Sequence, residues 1–100
     1  MQLQFKGIKD SSLSLMRRAG YHFVRLDEKT KEEEYQRRVS GGNYPRFHAF
    51  LKADRGSISM NLHLDQKKPS YEGCSSHSGE YEDSEILEKE AEMLKRVFSS

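Results

Sequence analysis

Arg46 to Asp65 read RFHAFLKADRGSISMNLHLD, and the two halves of this stretch alternate in the same way. Phe47, Ala49, Leu51 and Ala53 take turns with Arg46, His48, Phe50, Lys52 and Asp54. Beyond Arg55-Gly56, Ile58, Met60, Leu62 and Leu64 take turns with Ser57, Ser59, Asn61, His63 and Asp65. Successive side chains of a strand point to opposite faces, so each half is a strand with one apolar and one largely polar face. The glycine between them marks a tight turn, and together they predict an antiparallel hairpin. Parity then restricts the register, because a one-residue slip would set one strand's apolar set against the other's polar set. A two-residue turn at Arg55-Gly56 pairs Asp54 with Ser57, Phe50 with Asn61, His48 with His63 and Arg46 with Asp65. The two histidines become cross-strand neighbours on the polar face, with Cβ atoms about 5 Å apart.

Outward from the hairpin, Tyr21–Leu26 is strand-like in its β-branched and aromatic content, and Asp27–Lys31 is a charged turn. Glu33–Val39 is a further strand with Tyr35, Arg37 and Val39 on one face. Gln2–Phe5 fits a short edge strand. Asp10, Ser11 and Ser12 are competent helix caps before Leu13, Leu15, Met16 and Ala19, and Gly20 suits the position after the last turn, which predicts a helix over 11–19. Ser40–Pro45 and Ser70 to about Glu82 read as loops on glycine, serine and proline content. A last helix over 84–98 gathers Ile86, Leu87, Ala91, Leu94, Val97 and Phe98 on one face, with Glu90 inside it.

With 100 residues, 34% hydrophobic and 33% charged, and a mean hydropathy of −0.93, the chain has the length of one domain and a thin core. The expected fold is therefore α+β: a two-layer sandwich spanning residues 1–100, with an antiparallel sheet of four or five strands and both helices packed on one face. Cys74, the single cysteine, has no partner for an internal disulfide. The opening residues are too short and too polar for a signal peptide, and no apolar run approaches the roughly 20 residues of a membrane span. Cytoplasmic residence is the expectation.

The net charge of +1 conceals a division along the chain. Residues 1–69 carry 14 Lys and Arg against 8 Asp and Glu, and residues 70–100 carry 3 against 8. A basic body suits nucleic acid, although two halves of opposite sign also simply attract one another.

Chemistry concentrates on the polar hairpin face. His48 and His63 share it with Arg46, Asn61 and Asp65, and Lys67-Lys68 follow. Two imidazoles and a guanidinium can cut RNA without metal, one ring as base and the other as acid, with Arg46 on the phosphate. His48, His63, Asp65 and His77 have instead the donor types for a divalent metal, and hence for a metal-dependent hydrolase, although no spacing matches a specific metal motif. The plain alternative is a solvated sheet face, or an interaction module without chemistry. Glu90, a carboxylate on an apolar helix face, needs a partner; His77, Arg46 or a metal would serve, and so would a structural salt bridge. Cys74 would need His77 as its base to act as a nucleophile. The basic pairs Arg17-Arg18, Arg37-Arg38 and Lys67-Lys68, with Tyr44 and Phe50 nearby, suit RNA phosphates and stacked bases.

Gly20-Tyr21-His22, Gly42–His48, Leu62–Gly73 and His77–Tyr81 together resemble a group of small, uncharacterised bacterial proteins, a likeness that covers most of the chain and implies no activity. The order of helix, strand, histidine-bearing strand and C-terminal helix is also similar to HicA-type toxin ribonucleases, with their double-stranded-RNA-binding-like fold. That likeness implies His48 as the counterpart of the family's strand histidine, while the additional hairpin strand and the 66–82 stretch depart from it. The leading expectation is an RNA-binding or RNA-processing protein using the polar hairpin face.

Overall fold

The computed structural model describes residues 1–39, 45–65 and 77–99, the last with side chains from Glu85 onward. The elements run β1 (Gln2–Phe5), α1 (Ser12–Arg18), β2 (His22–Leu26), β3 (Glu33–Arg38), β4 (Arg46–Asp54), β5 (Ser57–Asp65) and α2 (His77–Ser99). The five strands form one antiparallel sheet in the order β1-β5-β4-β3-β2. A meander from β2 to β5 is thus closed on its β5 side by the first strand of the chain.

The β4–β5 hairpin has the register of a two-residue turn at Arg55-Gly56, with His48 opposite His63, Phe50 opposite Asn61 and Arg46 opposite Asp65. Its turn residues, Arg55 and Gly56, both have positive φ, at 47° and 81°. Positive φ at both central positions matches the right-handed twist of the flanking strands. On β4, Phe47, Ala49 and Leu51 are buried, as are Ile58, Met60 and Leu62 on β5. These residues share one face of the sheet with Leu3 and Phe5 of β1 and Tyr35 of β3. Leu15 and Met16 of α1 and Ala91, Leu94 and Phe98 of α2 join them in a single core cluster.

Helix α1 is short because both ends are defined chemically. Ser11 accepts a hydrogen bond from the Ser14 backbone N–H at 3.1 Å. At the other end Gly20 N–H donates to Arg17 O and Tyr21 N–H to Met16 O, the paired 5→2 and 6→1 bonds of a Schellman cap. Gly20 has φ +92°, a conformation in which glycine carries no Cβ penalty. Helix α2 begins at His77, earlier than the expected start at 84. Ser78 and Gly79 are weak helix formers, and the expectation gave their propensity too much weight. None of the described helices is long and apolar enough to cross a membrane.

Candidate functional site

The face of the sheet opposite the core cluster is a grid set by the ladder. His22, Gln36, His48 and His63 stand opposite one another in turn across β2, β3, β4 and β5. Three of the protein's four histidines thus lie in one row, which at about 4.8 Å per strand runs roughly 14 Å. The adjacent row is Glu34, Phe50, Asn61 and Gln2. On the other side of the histidines, Arg38, Arg46 and Asp65 form a third row.

His48 is held from both sides. Its Nε2 lies 2.5 Å from Glu34 Oε2 and its Nδ1 lies 2.8 Å from Asp65 Oδ2. Glu34 also faces Arg25 Nε at 3.4 Å, and Asp65 faces Arg46 Nε at 3.9 Å. Arg25, Glu34, His48, Asp65 and Arg46 therefore make an alternating chain of charge-bearing groups drawn from four strands. The Arg25–Glu34 pair is weak, since Arg25 is 67% exposed and exposed pairs are worth at most about 1 kcal/mol. The inner pair of contacts is different, because it sets a carboxylate oxygen against each nitrogen of one half-buried ring.

This geometry separates the roles expected of the two histidines. A ring with a carboxylate on each nitrogen has no free edge for a substrate proton, so His48 is placed to position its neighbours. His63 is exposed, and its described ring contact is with Phe50 at 6.0 Å, edge to face. The carboxylates of Glu34 and Asp65 lie on opposite sides of the His48 ring and do not converge on one point. Among the described residues no cluster of three or more His, Cys, Asp and Glu side chains could hold a metal ion. The His77 side chain, Lys67, Lys68, Cys74 and Tyr44 lie outside the described residues.

Phe50 is the aromatic centre of the face. His48 lies against it, with ring centroids 4.8 Å apart and 31° between planes. On the β1 side Phe50 lines a shallow depression of about 280 Å³ together with Gln2, Gln4, Lys52, Ser59 and Asn61. Residue types here supply an apolar ring, three carboxamides that both donate and accept, a hydroxyl, a cation in Lys52 and a carboxylate in Glu32.

Glu90 belongs to the core side of the sheet. It is 5% exposed and accepts from Arg37 Nε at 2.9 Å, from Arg37 Nη2 at 2.5 Å and from the Tyr21 hydroxyl at 2.7 Å. Its described partners are thus Arg37 and Tyr21 and do not include Arg46. The Arg37 guanidinium also lies 5.2 Å from the Phe47 ring centroid and 5.9 Å from that of Tyr21. Hydrogen bonding to Glu90 holds the Arg37 guanidinium above its ordinary pKa. Burial, then the Glu90 charge, pushes the Tyr21 hydroxyl far above its usual value near 10.

A raised phenol pKa has a defined linkage. The folded state keeps the Tyr21 proton where the unfolded chain releases it, so this stabilisation is complete below about pH 10 and is lost as pH rises beyond it. Tyr35 acts in the same direction, through burial and its hydrogen bond to Glu33. Tyr21→Phe is expected to lower the unfolding free energy at pH 7 by about 1.5–3 kcal/mol, the worth of a hydrogen bond to a charged group. It should also flatten the fall in stability between pH 10 and 11.5. Chemical denaturation of both proteins across that range reads the effect; parallel curves would contradict it.

Parity together with the two-residue turn placed His48, His63, Arg46, Asn61 and Asp65 together. Glu34, Gln36 and His22 were not foreseen. Tyr35 and Arg37 on one face of β3 put Glu34 and Gln36 on the other, but the sequence between β3 and β4 carries no signal for which residues of β4 they meet. No protein-family model, curated protein or solved structure matches the chain.

Proposed function

We propose that the protein binds single-stranded RNA across the face of the sheet that carries His48, Phe50 and His63. The observation that carries this reading is Phe50, half-buried between two imidazoles and bordering the carboxamides of Gln2, Gln4 and Asn61. A two-layer arrangement, with both helices on the core side, leaves this face open to a ligand. Aromatic rings stack with any base, and carboxamides offer hydrogen bonds to base edges. Arg38, Arg46 and Lys52 supply cations in the neighbouring rows for phosphates, and Lys67 and Lys68 extend that supply in the sequence after β5. Asp65 and Glu34 fix His48 beside the stacking ring, and a cytoplasmic protein would meet RNA directly.

Three phosphate contacts imply a slope of about −2 in log affinity against log salt for a single strand, or roughly a 20-fold loss between 50 and 200 mM. Fluorescence anisotropy with a ten-nucleotide RNA should show that loss. His63→Ala should weaken binding about threefold to tenfold, since stacking and polar contacts to a base are worth up to about 3 kcal/mol. If His63 also acts as an acid or base on the RNA, products with 2′,3′-cyclic phosphate ends will form with the native protein and not with the variant. Absence of binding at 50 mM salt would exclude the reading.

A further inference from the structure

A second concavity lies where α1 ends and β2 begins. It has a volume of about 510 Å³ and is lined by Ala19, Gly20, His22, Arg37 and Arg38. No carboxylate is among these residues. Arg37 gives its Nε and Nη2 hydrogens to Glu90, and of the five guanidinium donors those on Nη1 are not committed to that carboxylate. Arg25, Arg37 and Arg46 each face a carboxylate within 4.0 Å, whereas Arg38 makes no ion pair among the described residues and is exposed. Arg38 also stands directly opposite Arg46 in the β3–β4 ladder. At Gly20 a Cβ would come within 3.3 Å of Arg37 Cδ, so the glycine lets the arginine stem lie close along the floor of the concavity.

We infer that this concavity binds a phosphate monoester through Arg38 and His22, with the charge of Arg37 at its edge. Arginine presents a planar fork that matches phosphate oxygens two at a time, and His22 adds a ring N–H. A concave site favours a monoester over a diester, because one ester link leads out of the pocket and the remaining oxygens face inward. The site stands without the RNA-binding reading. Its ligand is a phosphate at the end of a strand or the phosphate of a small ester, and the two sources share this chemistry.

The test is titration of 15N-labelled protein with inorganic phosphate, matched in ionic strength by chloride. Saturable shifts are expected at Gly20, His22 and the Arg38 side chain. Arg38→Gln should weaken the interaction at least tenfold at an unchanged thermal midpoint, while Phe50→Ala leaves it as it was. Shifts that chloride reproduces, or that persist in Arg38→Gln, would overturn the proposal. RNA carrying a 5′-phosphate is then compared with the same RNA carrying a 5′-hydroxyl. A preference of about tenfold for the phosphate, lost in Arg38→Gln, assigns the site to a strand end. Equal affinities alongside intact phosphate shifts assign it to a small phosphate ester.

Discussion

Glu90→Ala will lower the unfolding free energy by about 3–4 kcal/mol, the cost typical of removing one partner from a buried ion pair. Nothing about helix α2 itself demands a carboxylate at this position, which lies among Ile86, Leu87 and Leu94 on the face that joins the core. What demands it is Arg37, only 31% exposed and projecting to the core side of β3. Without Glu90 that cation keeps the faces of Tyr21 and Phe47, worth about 0.5–2 kcal/mol, and loses both of its hydrogen bonds to carboxylate. The Tyr21 hydroxyl loses its acceptor at the same time. Glu90→Gln keeps the shape and one acceptor and should cost about half as much. The double variant Arg37→Met, Glu90→Leu should recover most of the loss, because apolar groups of similar volume often replace a buried pair at little cost. Urea denaturation of the four proteins measures all of this. A loss below about 1 kcal/mol in Glu90→Ala would mean that water or a rearranged Arg37 replaces the carboxylate.

Phe50→Ala will reduce affinity for single-stranded RNA by roughly 10- to 100-fold, the worth of one stacked base. The effect on folding should be smaller, about 1 kcal/mol, since the ring is half-buried on a face outside the core. Phe50→Tyr keeps the π-face and should bind as the native protein does. Phe50→Leu keeps apolar area without a π-face and should behave like the alanine variant. Anisotropy titrations of the three variants thus separate stacking from simple apolar contact. If leucine binds as well as phenylalanine, the face recognises apolar groups and the ligand is not a base.

The residues that gave themselves away in the sequence did so through period-two alternation. Phe47 to Leu64 alternates over both strands, and a glycine turn of two residues leaves one parity, so the pairing of His48 with His63 could be read directly. Glu90 was legible as a carboxylate on an apolar helical face, but its partners were not, since neither Tyr21 nor Arg37 carries any sequence mark of reaching α2. Glu34 was hidden for a different reason. Its strand meets β4 through a connection whose length sets no parity, so the carboxylate on the far side of His48 became visible only in three dimensions. The start of α2 was obscured because Ser78 and Gly79 belong to the same residue types that make loops.

One irregularity in the sheet has a bearing on what changes the gene could tolerate. The ladder between β2 and β3 slips between Phe23 and Arg25: Phe23 meets Tyr35 and Arg25 meets Glu34, so Val24 is an additional residue. With unbroken pairing Val24 would face Glu34, and Arg25 would point to the core side, next to the ring of Tyr35. A bulge on an outer strand also bends it away from a straight edge, and this strand exposes Phe23, Val24 and Leu26. Losing the codon for Val24 would leave Arg25 opposite Glu34 in an unbroken ladder, but it would remove the bulge and straighten an apolar border. Many substitutions at the same position would keep the bulge. In this strand the count of residues is constrained more tightly than their identity.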